Sequence, residues 1–162
     1  MPALANLEKN YPMLMTIEDA SIKHLDRLYE IERECFEKEA FTQKQIAQLL
    51  ADYNSITLIA KKNDRTEGFI IGTLYFERTA LSGHILTLDV SLSHRRQGIG
   101  ERLLLKIEGI FKEKGAKTCH LEVREDDIAA LGLYEKLGYK KIGKLENYYG
   151  KAHGIYLAKT LT

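Results

Sequence analysis

The sequence predicts a three-layer α/β domain, a mixed sheet with helices on both faces. Three observations carry that expectation. Strand-like and helix-like patterns interleave along the chain in the order β-α-α-β-β-β-α-β-α-β-β. Ile85, Leu86, Leu88 and Val90 form an apolar run of strand length and β-branched content. Soon afterwards Ile99, Leu103, Leu104, Ile107, Ile110 and Phe111 recur at steps of three and four residues, the period of one helix face.

Taken in order, residues 1–11 read as a loose tail or an added strand edge, with Pro2 and Pro12 as punctuation. Residues 13–17 form the first strand. Asp19 or Ser21 caps a helix with apolar positions at Ile22, Leu25, Leu28, Tyr29 and, at its end, Phe36. After the connection 37–41, Thr42 and Gln45 fit a capping box that starts a second helix through Ile46, Leu49 and Leu50. Residues 55–61 and 67–76 are strands, joined by a hairpin-like turn at Asn63-Asp64-Arg65. The central strand, 83–92, leads into a helix that ends near Lys112, Lys114 and Gly115. A strand follows at 117–124. Asp126 or Asp127 then caps a helix through Leu137, which Gly138 ends. Strands at 139–145 and 153–161 complete the chain.

The 162 residues fit one domain, and at 44% hydrophobic they can fill a core. A net charge of +1 implies no general attraction to nucleic acid or membrane. No apolar run approaches a membrane span, and the first residues lack a signal-peptide core. Two cysteines, Cys35 and Cys119, make no disulfide framework, so a reducing cytoplasm is the expected compartment and both thiols are read as buried and inert. No His/Cys cluster has metal spacing, and no Ser-His-Asp set has a recognisable context.

The segment between the central strand and its helix carries Arg95, Arg96, Gly98 and Gly100. Glycines allow close backbone approach, and the helix start offers outward N–H groups with partial positive charge. A diphosphate suits that arrangement, and the arginines add full charges. On spacing alone, a basic turn that merely opens a surface helix explains the segment equally well. It is no P-loop, since no Gly-Lys-Ser/Thr follows, and Leu103 stands where the dinucleotide fingerprint needs its third glycine.

Arg95-Arg96-Gln97-Gly98-Ile99-Gly100 resembles the R/Q-x-x-G-x-G/A acetyl-CoA signature of the GNAT N-acetyltransferases. Leu121-Glu122-Val123-Arg124, Ala130 and Leu133-Tyr134-Glu135-Lys136-Leu137-Gly138-Tyr139 resemble a block of the N-terminal acetyltransferases, both the archaeal and the bacterial ribosomal-protein type. Asn147-Tyr148-Tyr149 resembles their N-Y-Y segment. The blocks cover roughly 82–150 in the family's order. The resemblance implies a single GNAT domain over 1–162, its mixed, mostly antiparallel sheet splayed at the central strands. It implies acetyl-CoA as donor, a protein or peptide N-terminus as acceptor, no metal, and a monomer or weak homodimer.

Site residues follow from the same resemblance. Pantetheine pairs with the backbone of Leu88, Asp89 and Val90. The diphosphate sits on Arg95, Arg96, Gln97, Gly98, Ile99, Gly100 and Glu101, with Asp127 where relatives carry a cofactor-contacting asparagine. That aspartate keeps an acceptor but loses the amide donor, so a helix cap is its other role. Tyr134 matches the general acid, a phenol protonated at neutral pH. Glu122 matches the base of the ribosomal-protein type, and His84, where archaeal relatives carry a histidine, competes for that task. Both stay candidates, Glu122 first; the plain alternatives are a strand-edge histidine and a solvated or ion-paired glutamate. Phe36, Glu37, Glu39, Tyr148 and Tyr149 are the acceptor-side candidates, the tyrosines by stacking and the acids by attracting an ammonium. The loop 37–41 lacks the proline common in relatives. A small amine or lysine side chain as acceptor, or a non-catalytic CoA-binding module, are the competing functions.

Overall fold

In a computed structural model the described residues are 15–162, so the reading of 1–11 as a tail lies outside them. Seven strands form one sheet: β1 Met15–Asp19, β2 Ser55–Lys62, β3 Arg65–Glu77, β4 Ala80–Val90, β5 Thr118–Arg124, β6 Lys140–Tyr149 and β7 Ala152–Thr160. Their spatial order is β1-β2-β3-β4-β5-β7-β6. Every neighbouring pair is antiparallel except β4 and β5. A parallel pair requires a crossover, and the helix after β4 provides it.

Four helices complete the described chain: α1 Leu25–Cys35, α2 Gln43–Ala51, α3 Ile99–Glu113 and α4 Ile128–Lys136. On one face, Leu28 and Ile31 of α1 and Ile46 of α2 pack on Ile59, Phe69 and Ile71. On the other, Leu103, Leu104, Ile107 and Phe111 of α3 pack on Leu58, Ile70 and Ile85. All four α3 side chains are fully buried, each contributing roughly 1.5–3 kcal/mol. Close approach of α3 depends on glycine: a Cβ on Gly83 would stand 2.3 Å from the Phe111 ring, and one on Gly72 2.6 Å from it.

The expected element order holds, and the boundaries shift for identifiable reasons. Ser21, not Asp19, caps the first helical turn, where its N–H donates to His24 Nδ1 at 3.0 Å; Asp19 belongs to β1. Phe36 is extended and lies past the end of α1. The capping box is present, with Gln45 N–H on Thr42 Oγ1 at 3.1 Å and Thr42 N–H on Gln45 Oε1 at 2.8 Å. Asn63 and Asp64, both at positive φ, make the two-residue hairpin turn. Asp127, not Asp126, caps α4 by accepting from the Ala130 N–H at 3.1 Å, because Arg124 holds Asp126 at 2.9 and 3.0 Å. The strand read over 139–145 runs on through Tyr149 as β6, so Asn147-Tyr148-Tyr149 is the irregular end of a strand.

Candidate active site

The site grows from the place where β4 and β5 part. Their ladder has three pairs, Ser82 with Thr118, Gly83 with Cys119 and His84 with His120. Beyond His84 both strands continue without pairing, which leaves a wedge between them. A bulge sits at the same place: Ile71 faces Thr87 while Gly72 faces Ile85, so Leu86 is the extra residue. The bulge exchanges the faces. Ile85 packs towards α3, Leu86 packs with the α1 cluster, and Leu88 and Val90 point towards α3 again.

Backbone direction follows from one bond. The Ser91 N–H donates to the Glu67 carbonyl of β3 at 2.8 Å. Residues of the same parity, Asp89 and Thr87, therefore spend their backbone groups on β3, and Leu88 and Val90 turn theirs to the wedge. The Val90 carbonyl accepts from Arg95 Nε at 3.2 Å and from the Cys35 thiol at 3.4 Å. Of the expected strand contacts, Leu88 and Val90 thus face the opening and Asp89 does not. Its side chain points to α1.

The turn after β4 is fixed by Glu67, which is buried. Its carboxylate accepts from Ser91 Oγ at 2.6 Å and pairs with His94 at 3.0 Å and Arg27 at 3.2 Å. Arg96 and Gly98 then take positive φ, 61° and 80°. Gly98 is the N-cap of α3, and the Arg102 N–H is the first to return to its carbonyl. The N–H groups of Ile99, Gly100 and Glu101 stay open at the helix start. The side chains around them diverge. Arg96 is exposed, Arg95 folds back on β4, Gln97 accepts from Lys62 Nζ, and Glu101 pairs with Lys136 at 2.9 Å. Gly100 is not sterically required by the protein itself, since a Cβ there would be in ordinary contact with Leu88, Val90 and Leu133.

In the wedge lies a cavity of about 130 Å³. Glu122 projects into it from β5, and Leu121 and Val123 on either side join the core. The two base candidates meet: His84 Nε2 is 2.7 Å from Glu122 Oε2. With the hydrogen on Nε2, the imidazole donates to the carboxylate and keeps Nδ1 as an acceptor. Tyr134 enters from α4, its ring edge-on to Tyr139 at 5.7 Å. Burial, with Asp127 second, pushes its phenol above the ordinary tyrosine value, so it is a proton donor at neutral pH. Burial raises Cys35 to about 11 and Cys119 to about 12, so both are held as thiols at neutral pH; Cys119 is buried as expected, and Cys35 only partly.

Of the acceptor-side candidates, Phe36, Glu39 and Tyr149 line the cavity. Glu37 is exposed and Tyr148 is 55% exposed; neither lines it, although Tyr148 stacks edge-on against Tyr149 at 4.8 Å. Asp127 lines it and caps α4 at once. Sequence reasoning passed over Glu32, Thr87 and Arg124 as side chains of the site. Arg124 bridges the walls, 2.6 Å from Glu39 and 5.8 Å above the Tyr149 ring. Glu32 had one visible signal, its place one helical turn after Leu28 on the apolar face of α1.

Residues 25–139 match the acetyltransferase (GNAT) family. An N-alpha-acetyltransferase of Sulfurisphaera tokodaii is 27% identical over 150 residues, covering 87% of this chain and 89% of its own. An uncharacterized N-acetyltransferase of Methanocaldococcus jannaschii is 32% identical over 136 residues, covering 83% and 84%. The crystal structure of the ribosomal-protein-S18-alanine N-acetyltransferase from Escherichia coli superposes with a TM-score of 0.82 at 24% identity, covering 92% of this chain and 95% of that one, and shares the fold.

Proposed function

The chain belongs to the acetyltransferase (GNAT) family, and on that premise we propose that it transfers acetyl from acetyl-CoA to the free N-terminal α-amine of a protein or peptide. The observation that carries the reading is Glu122, paired with His84 at 2.7 Å, lining the same cavity as Tyr134. Acetyl-CoA supplies the thioester. The chain's own groups fit it: a strand edge open at Leu88 and at the Val90 N–H, and open N–H groups at the start of α3, where a left-handed Gly98 keeps side-chain bulk away. An ammonium entering the cavity meets Glu122, and His84–Glu122 takes its proton so that the amine can attack. Tyr134 holds the proton that the departing thiolate needs. Phe36, Phe41 and Tyr149 wall the acceptor side, and the similarity to the N-alpha-acetyltransferase of Sulfurisphaera tokodaii favours a chain end as acceptor.

The test is acetyl transfer from labelled acetyl-CoA to short peptides differing in their first two residues, each with a blocked-N-terminus control. Transfer to free N-termini only is expected. Transfer to blocked, lysine-containing peptides, or to small amines alone, overturns the α-amine reading.

A further inference from the structure

Beneath the cavity lie two buried carboxyls that the reaction does not use. Glu32 of α1 and Asp89 of β4 are each 1% exposed. Thr87 stands between them, its Oγ1 2.8 Å from Glu32 Oε1 and 2.5 Å from Asp89 Oδ1. A hydroxyl carries one hydrogen and can donate to only one of them. The other contact therefore needs a proton on a carboxyl.

The hydrogen bonds say which one. Glu32 has both oxygens served, Oε1 by Thr87 and Oε2 by the Phe41 N–H at 3.0 Å. Asp89 Oδ2 is buried and no donor reaches it. An unmet oxygen is costly on a carboxylate and far less so as the carbonyl of a neutral acid. The proton belongs on Asp89 Oδ1, and the bonds run one way: Asp89 O–H to Thr87 Oγ1, Thr87 O–H to Glu32, with the Phe41 N–H closing the chain. Burial, then the charge and the hydrogen bond of the neighbouring Glu32, raise Asp89 in the same sense, and the Thr87 hydroxyl and Arg95 oppose them. Two other titratable groups feel Asp89: Cys35 on α1, which stays a thiol, and Tyr134 on α4, whose phenol is held up in part by it.

Phe41 is a wall of the acceptor side, and its backbone is the far end of this relay. We propose that the Asp89–Thr87–Glu32 relay makes Glu32 the positioning residue for the acceptor, pinning the Phe41 wall of the cavity to the central strand. The inference rests on the reading that the acceptor enters between this loop and β5.

Two measurements test it. In the full chain, Thr87→Val removes the hydroxyl at near-constant volume. The acceptor KM should rise about tenfold, with the acetyl-CoA KM unchanged, and Thr87→Ser should restore it. Equal movement of both KM values, no movement, or failure of Thr87→Ser to restore the acceptor KM overturns the positioning role. Independently of any acceptor, infrared titration of the unliganded chain should show a protonated carboxyl persisting at neutral pH and absent from Asp89→Asn. Absence of that band in the unaltered chain overturns the relay even if peptides are acetylated. Its presence supports the relay even if the acceptor proves to be another amine.

Discussion

The two halves of β4 make an instructive comparison. Residues 82–84 are hydrogen-bonded on both sides, to β3 and β5, and Gly83 lies under the Phe111 ring. Residues 85 and 87–90 pair with β3 alone, with Leu86 bulged out of the ladder, and turn an open edge to the wedge. His84, the last doubly paired residue, carries the side chain that meets Glu122 at 2.7 Å. Leu88 and Val90, in the open half, offer the backbone that a ligand can pair with. The closed half gives precision and the open half gives access, and the bulge at Leu86 is where one becomes the other.

The comparison can be broken from either side. The largest effect is expected where the open half meets the chemistry: Tyr134→Phe should lower kcat by about 10²–10⁴-fold. Acetyl-CoA affinity should stay the same, because the proton matters in the transition state. Stopped-flow turnover with parallel binding titrations checks this, and equal losses in both would remove the acid role. Next comes the closed half. Gly83→Val drives a side chain into Phe111 and should destabilise by roughly 1–3 kcal/mol or more, read as a lowered Tm in calorimetry. An unchanged Tm would mean that α3 is not seated on the doubly paired segment. Smallest is Gly98→Val. A β-branched residue held at φ 80° costs roughly 1–2 kcal/mol, so the Tm should fall by about 2–8 °C, and acetyl-CoA binding should weaken by about tenfold or more in isothermal titration.

Much of this was legible before any coordinates. The β4-turn-α3 unit announces itself because its period changes within a few residues, and the capping box at Thr42 is local chemistry. What escaped depends on partners distant in sequence. His84 and Glu122 stand 38 residues apart, and only the parallel register of β4 and β5 shows that the two base candidates are one pair. The bulge at Leu86 is a property of pairing with β3, invisible in a run that reads as continuous strand. Glu32 looks like one more polar helix residue among Glu30, Arg33 and Glu34. Thr87 and the Phe41 N–H, from two other elements, are what make its burial tolerable. Glu37 is exposed and outside the cavity lining, and Tyr148 is exposed too, although its phenol still feels Glu122; orientation of this kind is not encoded in composition.

The central claim is that His84 and Glu122 act as one proton-accepting unit opposite Tyr134. A double-mutant cycle on acetyl transfer, with His84→Gln, Glu122→Gln and the pair together, tests it most directly. If the two act as a unit, each single change should lower kcat nearly as far as the double change does, with acetyl-CoA binding intact. Losses that multiply across the cycle would contradict it, since the two residues would then be independent and their 2.7 Å contact incidental to the reaction.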